Sequence, residues 1–263
     1  MLLCWGCIPK VPLRTKINIL LKPLDSTRYT EISYIINFIK DNLLSFPLSL
    51  DISSPFILSY ILSKKGKVIK TDISPEEKKF IKESRNLKFE IQNALALTYP
   101  KNTFNFVFAV SSIEHIYEGF LQSINEMIRV VKPNGYIYLS FPVSNNFNEE
   151  WLNQNIYSNQ FIKNGKVFFQ YRFDKKKLES ILSNLEEVSL YKKDIYWEKY
   201  NGSYNKMILK LKKSTGINSI DFLKNAIVNL YYGFTLLNIY PEDFGNAKDL
   251  GIISIILKKK NDD

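Results

Sequence analysis

Short apolar runs alternate with segments of helical spacing through the first half of the chain. Residues 30–44 place Ile32, Ile35, Ile36, Ile39 and Leu43 on one face at helical intervals. Residues 46–52 and 68–72 are brief β-favouring runs carrying Asp51 and Asp72 at their carboxyl ends. Each is followed by a Ser-Pro pair, Ser54-Pro55 and Ser74-Pro75. A hydroxyl N-cap before a proline at the first helical position predicts helices over residues 55–64 and 75–84. Glu77, three residues after Ser74, adds a capping box to the second, and Gly66 is placed to end the first. Strands are predicted over residues 87–91 and 104–110, the latter apolar nearly throughout, as a central parallel strand should be. Residues 118–131 set Phe120, Leu121, Ile124, Met127, Ile128 and Val131 along one side of a helix, and Lys132-Pro133-Asn134-Gly135 stops it before a strand at 136–141. Residues 142–173 are rich in Asn, Phe and Tyr and show no clear period. A helix near 174–185, a strand near 188–197, a helical pair within 214–249 and a closing strand at 251–257 complete the pattern, with no internal repeat.

Strand, helix, strand, helix, with an acid ending each strand, is the front half of a nucleotide-type α/β domain. Ligands of open parallel sheets bind at the carboxyl ends of the strands, where Asp72 could accept hydrogen bonds from a ribose diol. At 263 residues and 45% hydrophobic content, the chain suits one large domain or one with a modest insertion. No apolar run reaches a membrane span's length; the richest stretch, residues 226–240, is broken by Asn229, Gly233 and Asn238. No signal peptide is read at the amino terminus, and two cysteines argue for a reducing interior, so a cytoplasmic location is expected. Cys4-Trp5-Gly6-Cys7 lacks both a redox-fold context and further zinc ligands, so no metal is expected. Seven of the ten excess positive charges fall in residues 1–45 and 151–185, which suits an anionic partner or a plainly solvated surface.

Four segments carry a resemblance. Residues 49–54 (Ser-Leu-Asp-Ile-Ser-Ser), 70–74 (Lys-Thr-Asp-Ile-Ser), 104–116 (from Phe104 through Ser111-Ser112-Ile113-Glu114-His115) and 126–136 (Glu126 through Lys132-Pro133-Asn134-Gly135-Tyr136) occur in the order and spacing of a known pattern. Together they resemble the class I S-adenosylmethionine-dependent methyltransferases, in the broad group acting mainly on small molecules and lipids. The segment from Phe168 to Asp174 is similar to one in a subgroup that also has Ser-Ser-Pro in place of the glycines. The resemblance implies a Rossmann-like methyltransferase fold: a seven-stranded, mostly parallel sheet with its last strand antiparallel, plus a helical insertion. It divides the chain into an amino-terminal extension and helix (1–45), a cofactor-binding core with an acceptor lid at 142–173 (46–200), and an insertion with the final strand (201–263).

The implied cofactor is S-adenosyl-L-methionine, with contacts at Asp51, Ser53, Ser54, Asp72, Ile73, Asn93, Ala94 and Ser111. The family loop usually reads acid-x-Gly-x-Gly-x-Gly, because glycine lets the backbone approach the cofactor. Here Ser53, Ser54 and Pro55 stand there, and serine can present backbone N–H groups and a hydroxyl to a carboxylate at a helix start. Asn93 replaces an aspartate facing the adenine, and Asn105 another common aspartate. His115, the only histidine, lies after the fourth strand near the expected methyl and titrates near neutrality, as a general base should; its alternative is to cap or pack the loop. Glu114 either orients that imidazole or faces solvent. Phe169, Tyr171 and Arg172 form an acceptor lid or cover the core, and Arg28 and Glu31 line the acceptor pocket or make an exposed ion pair.

The activity so implied is methyl transfer to a small-molecule, saccharide or lipid-linked acceptor, which the charge suggests is anionic. A non-catalytic scaffold retaining the fold is the alternative raised by the missing glycines. An RNA methyltransferase has only net charge in its favour, since base-amine and cytosine-carbon signatures are absent. A nicotinamide dehydrogenase would need the glycine-rich fingerprint this chain lacks. Acceptor identity and oligomeric state are not encoded in any recognisable motif.

Overall fold

The computed structural model describes residues 26–42, 47–157, 160–213, 216 and 218–261, so the expectations at Cys4, Cys7, Leu43 and Phe46 lie outside the described residues. A seven-stranded sheet has the order β3-β2-β1-β4-β5-β10-β9. Its strands are β1 (Leu48–Ile52), β2 (Lys67–Asp72), β3 (Leu87–Ile91), β4 (Phe104–Val110), β5 (Val131–Val143), β9 (Val188–Trp197) and β10 (Gly251–Lys259). The first five pair in parallel, and β10 runs antiparallel between β5 and β9. The expected Rossmann-like methyltransferase fold is therefore present.

Layering follows from alternation along β4. Phe106, Phe108 and Val110 face one core with α1 (Ser26–Asp41) and α2 (Phe56–Leu62), which supply Ile35, Phe38 and Leu58. Val107 and Ala109 face the other with α3 (Phe120–Val130), through Ile124, Met127 and Ile128. A strand covered on both sides must be apolar on both, which is why its residues read as an unbroken run. The turn at residues 132–135 belongs to β5 and bulges against β4. Asn134 takes φ 60°. A Cβ on Gly135 would sit 2.9 Å from the Asn105 carbonyl oxygen, so only glycine fits.

Three expectations are corrected, and one stretch left without a predicted element is found to be structured. Residues 75–84 form a 3-10 turn at Pro75–Phe80 rather than an α-helix; Ser74 caps it by accepting from Glu76 N–H. Ser54 does not cap α2, whose N-cap residue is Pro55; its hydroxyl oxygen accepts instead from Val110 N–H at 3.0 Å, across to β4. The aperiodic stretch holds a small antiparallel sheet of order β6-β8-β7, made of β6 (Asn148–Leu152), β7 (Ile162–Lys163) and β8 (Lys166–Arg172). Strand β8 buries residues on both faces, which erases the period of two. After α4 (Lys175–Ser183), the helical pair starts earlier than expected, as α5 (Ser203–Lys212) and α6 (Asn218–Thr235). Buried Glu198 fixes its entry by accepting from the N–H groups of Gly202 and Tyr204.

Candidate active site

Parallel pairing brings the ends of β1, β2, β3 and β4 to one edge, with the segments after them: Asp51–Ser54, Asp72–Ile73, Asn93–Ala94 and Ser111–His115. The first segment is closed on itself. Ser53 sits at φ 52°, and its N–H donates to the Thr71 carbonyl at 2.9 Å. Ser54 N–H donates to Asp51 Oδ1 at 2.9 Å. Buried Asp51 Oδ2 accepts from the Ser59 hydroxyl and, at 3.4 Å, from Lys70 Nζ, which also donates to the Ser54 carbonyl. Asp51 thus supports the loop, with the Ser54 N–H held within it and the Ser53 N–H held by β2. The serine N–H groups expected to face a cofactor carboxylate already have acceptors in this structure.

Beyond β2, Asp72 is half-buried, with Oδ1 accepting from Ser74 N–H at 2.8 Å, and Ile73 is exposed. Asn93 Oδ1 accepts from Leu95 N–H, and an Asn93–Ala96 bridge closes a tight turn around Ala94. The Glu126–Arg129 pair of α3 anchors this turn's exit: Arg129 donates to the Leu97 and Tyr99 carbonyls, and Glu126 accepts from Leu97 N–H. An acid with solvent access beside an apolar surface and an amide turn is the donor and acceptor set that a ribose and an adenine require.

Past β4, the chain turns sharply at Ser111, φ 43°. The Ser111 hydroxyl and, at 2.8 Å, that of Ser140 donate to Glu31 Oε1. Arg28 pairs with Glu31 Oε2 at 2.9 Å. Glu31 is fully buried, so the exposed ion-pair reading is corrected: it ties α1 to the ends of β4 and β5. Glu114 is buried in the 3-10 turn Ile113–His115, and neither of its oxygens has a hydrogen-bond partner. It does not face solvent. Burial first of all, and then Glu31, push its pKa up to about 8, against the opposing pull of its own backbone N–H and of Arg28.

His115 Nδ1 donates its proton to the Phe169 carbonyl, so Nε2 is the bare nitrogen, 3.8 Å from Glu114 Oε1. Burial chiefly lowers the imidazole pKa to about 4. A protonated acid therefore faces a neutral imidazole at neutral pH, not an ion pair. The rings of Tyr157 and Phe169 lie 5.1 and 5.0 Å from the imidazole. Tyr157 is the site residue that sequence reasoning missed; the aromatic richness of its segment was its only signal. Of the expected lid residues, Phe169 alone reaches His115. Tyr171 accepts from Glu118 N–H, and Arg172 pairs with Glu150 at 2.7 Å and bonds the Asp249 carbonyl, so both are committed to holding the small sheet in place.

These shifts predict opposed stability limbs. His115 stays neutral when folded down to about 4, while the unfolded imidazole takes its proton near 6.5. Stability therefore falls as pH drops through that window. Glu114 keeps its proton when folded up to about 8 but ionises near 4.5 when unfolded, so stability falls as pH rises through that window. Urea unfolding across pH should show His115→Gln flattening the acid limb and Glu114→Gln the alkaline one. An unchanged alkaline limb in Glu114→Gln would mean the carboxyl is already ionised.

Residues 53–139 match the family model described as "Methyltransferase domain". No curated protein sequence matches the chain at a significant level. The fold is similar to that of the MccD protein, at 17% identity and TM-score 0.54, over 88% of this chain and 96% of that one. It is similar to coclaurine N-methyltransferase bound to N-methylheliamine and SAH, at 13% identity and TM-score 0.54, over 87% and 72%. Phosphoethanolamine N-methyltransferase 2 of Haemonchus contortus, in complex with S-adenosyl-L-methionine, aligns at 12% identity and TM-score 0.53, over 89% and 53%.

Proposed function

We propose that this chain, a class I S-adenosylmethionine-dependent methyltransferase by its domain match and fold, methylates a small-molecule, saccharide or lipid-linked acceptor held against His115. The observation that carries this reading is the buried pair after β4: a carboxyl without partners facing an imidazole whose tautomer is set by the Phe169 carbonyl. Water-excluded acid and base groups of shifted pKa are found where proton transfer is required.

When bound, the cofactor supplies an electrophilic methyl on a sulfonium. Asp72 would bond the ribose diol, Ile73 and Ala94 would flank the adenine, and Asn93 would bond its edge. The Asp51–Ser54 loop and Ser111 would border the methionine portion. Because the sulfonium is already reactive, the chain's main work is to hold the acceptor in line. Phe169 and Tyr157 wall the acceptor side, Arg28 adds positive charge there, and Nε2 of His115 takes the proton of a hydroxyl, amine or acidic carbon.

Asp72→Ala should weaken S-adenosylhomocysteine binding ~10- to 100-fold through loss of charge-assisted hydrogen bonds. Isothermal calorimetry reads this directly. Equal affinity in the variant would refute the cofactor assignment, and a wild-type chain giving no heat would leave only the scaffold reading.

A further inference from the structure

Helix α6 is apolar on two sides. Its inner side is ordinary: Tyr232 and Leu236 pack with Met207 of α5 and Ile252 of β10. On its outer side Ile220, Leu223, Ile227, Leu230 and Tyr231 recur at helical spacing, each between 49% and 61% exposed. Polar Asn225 and Asn229 sit half-buried at the flanks. A helix facing water places its polar residues outermost, and here apolar ones take that position. A lone exposed leucine is unremarkable, but a contiguous row marks a surface meant to be covered.

Lysines are concentrated on the neighbouring helix α5, which packs against α6. From Lys199 to Ile220 the chain carries five lysines and no acid. Lys206, Lys210 and Lys213 of α5 and its end are exposed, as is Leu209 between them. Tyr240, just past α6, is 79% exposed. Among the described residues no helix is long and apolar enough to cross a membrane. An apolar row, lysines on the neighbouring helix and flanking tyrosines instead form the composition of a helix pair lying in the interface plane, its lysine stems reaching outward to anionic head groups.

We infer that α5 and α6 dock this protein on an anionic lipid surface. Position supports the inference. Gly251 pairs with both Val143 and Trp197, so the chain between β9 and β10 leaves from and returns to the carboxyl edge of the sheet. Helix α1, which carries Arg28 and Glu31, approaches α6. Docking would therefore set the acceptor side beside the bilayer. That last step rests on the methyl-transfer reading, and the docking itself does not.

The test is sedimentation of the full chain with large unilamellar vesicles of phosphatidylcholine, alone or with about one-third phosphatidylglycerol. The chain should pellet with the anionic vesicles and not the neutral ones, and less so as salt rises. Leu223→Glu combined with Ile227→Glu should weaken binding ~10-fold or more, and Lys206→Glu with Lys210→Glu should remove the anionic preference. Both variants should keep the wild-type unfolding midpoint and S-adenosylhomocysteine affinity, which separates lost docking from misfolding. Equal pelleting of the Leu223/Ile227 variant, or none by the wild type, overturns the inference. Dimers that Leu223→Glu dissolves, seen without pelleting, would assign the row to a second copy. Vesicle binding without cofactor binding would spare the docking and remove the enzyme reading.

Discussion

Replacing Lys70 with methionine is expected to destabilise the protein by ~3–5 kcal/mol, a large share of the ~5–15 kcal/mol that holds an ordinary domain together. Lys70 is buried in the middle of β2, and its ammonium bonds both Asp51 and the Ser54 carbonyl. Methionine keeps the stem's volume but leaves a buried carboxylate supported only by the Ser54 N–H and the Ser59 hydroxyl. A buried charge stripped of its counter-ion is one of the few single changes with so large an effect. The loop loses an anchor at the same stroke, so S-adenosylhomocysteine affinity should fall even where the variant remains folded. Adding Asp51→Asn should recover most of the lost stability, since the pair is then neutral, and this non-additivity is what a double-mutant cycle in urea measures. A single variant within about 1 kcal/mol of wild type would show that the ion pair contributes little.

Lys70 also shows why part of the site was hidden. A lysine inside an apolar strand reads as a surface residue at an edge, and nothing local reveals that the turn beside it offers a carbonyl and a carboxylate. The strands themselves were legible: β1 and β2 as short β-favouring runs that each end near an acid, and β4, covered on both faces, as a run apolar nearly throughout. The strand-end acids were legible too, since their position along each strand fixes the edge they reach. Capping signals misled twice. Ser54 and Ser74 carry the same Ser-Pro signature, yet Val110 N–H draws the first hydroxyl across the sheet and the second caps only a 3-10 turn. Glu114 and His115 were visible as residue types, while their orientation depends on Phe169, 54 positions away. No local rule reports a contact of that range.

His115→Ala is expected to lower kcat ~10²-fold or more, with S-adenosylhomocysteine affinity little changed. Nε2 is kept bare by the Nδ1–H bond to Phe169, so the nitrogen facing Glu114 has its lone pair free of a proton. A pKa of about 4 keeps that base form populated at neutral pH, at the expense of basicity. Glu114 can restore the difference. Once Glu114 has given up its own proton to solvent, its carboxylate stands 3.8 Å from Nε2, and a proton that Nε2 takes from the acceptor is then held by an attraction of ~4 kcal/mol at an effective dielectric of about 20. Glu114→Gln should therefore slow turnover as well, and the two changes together should lose little more than His115→Ala alone, because they act as one unit. Imidazole added to the alanine variant should recover part of the rate, which a merely structural histidine would not allow. A near-normal kcat in His115→Ala would remove His115 as the base. The remaining rate would then come from alignment alone, as it can for an acceptor that already carries a lone pair and has no proton to lose.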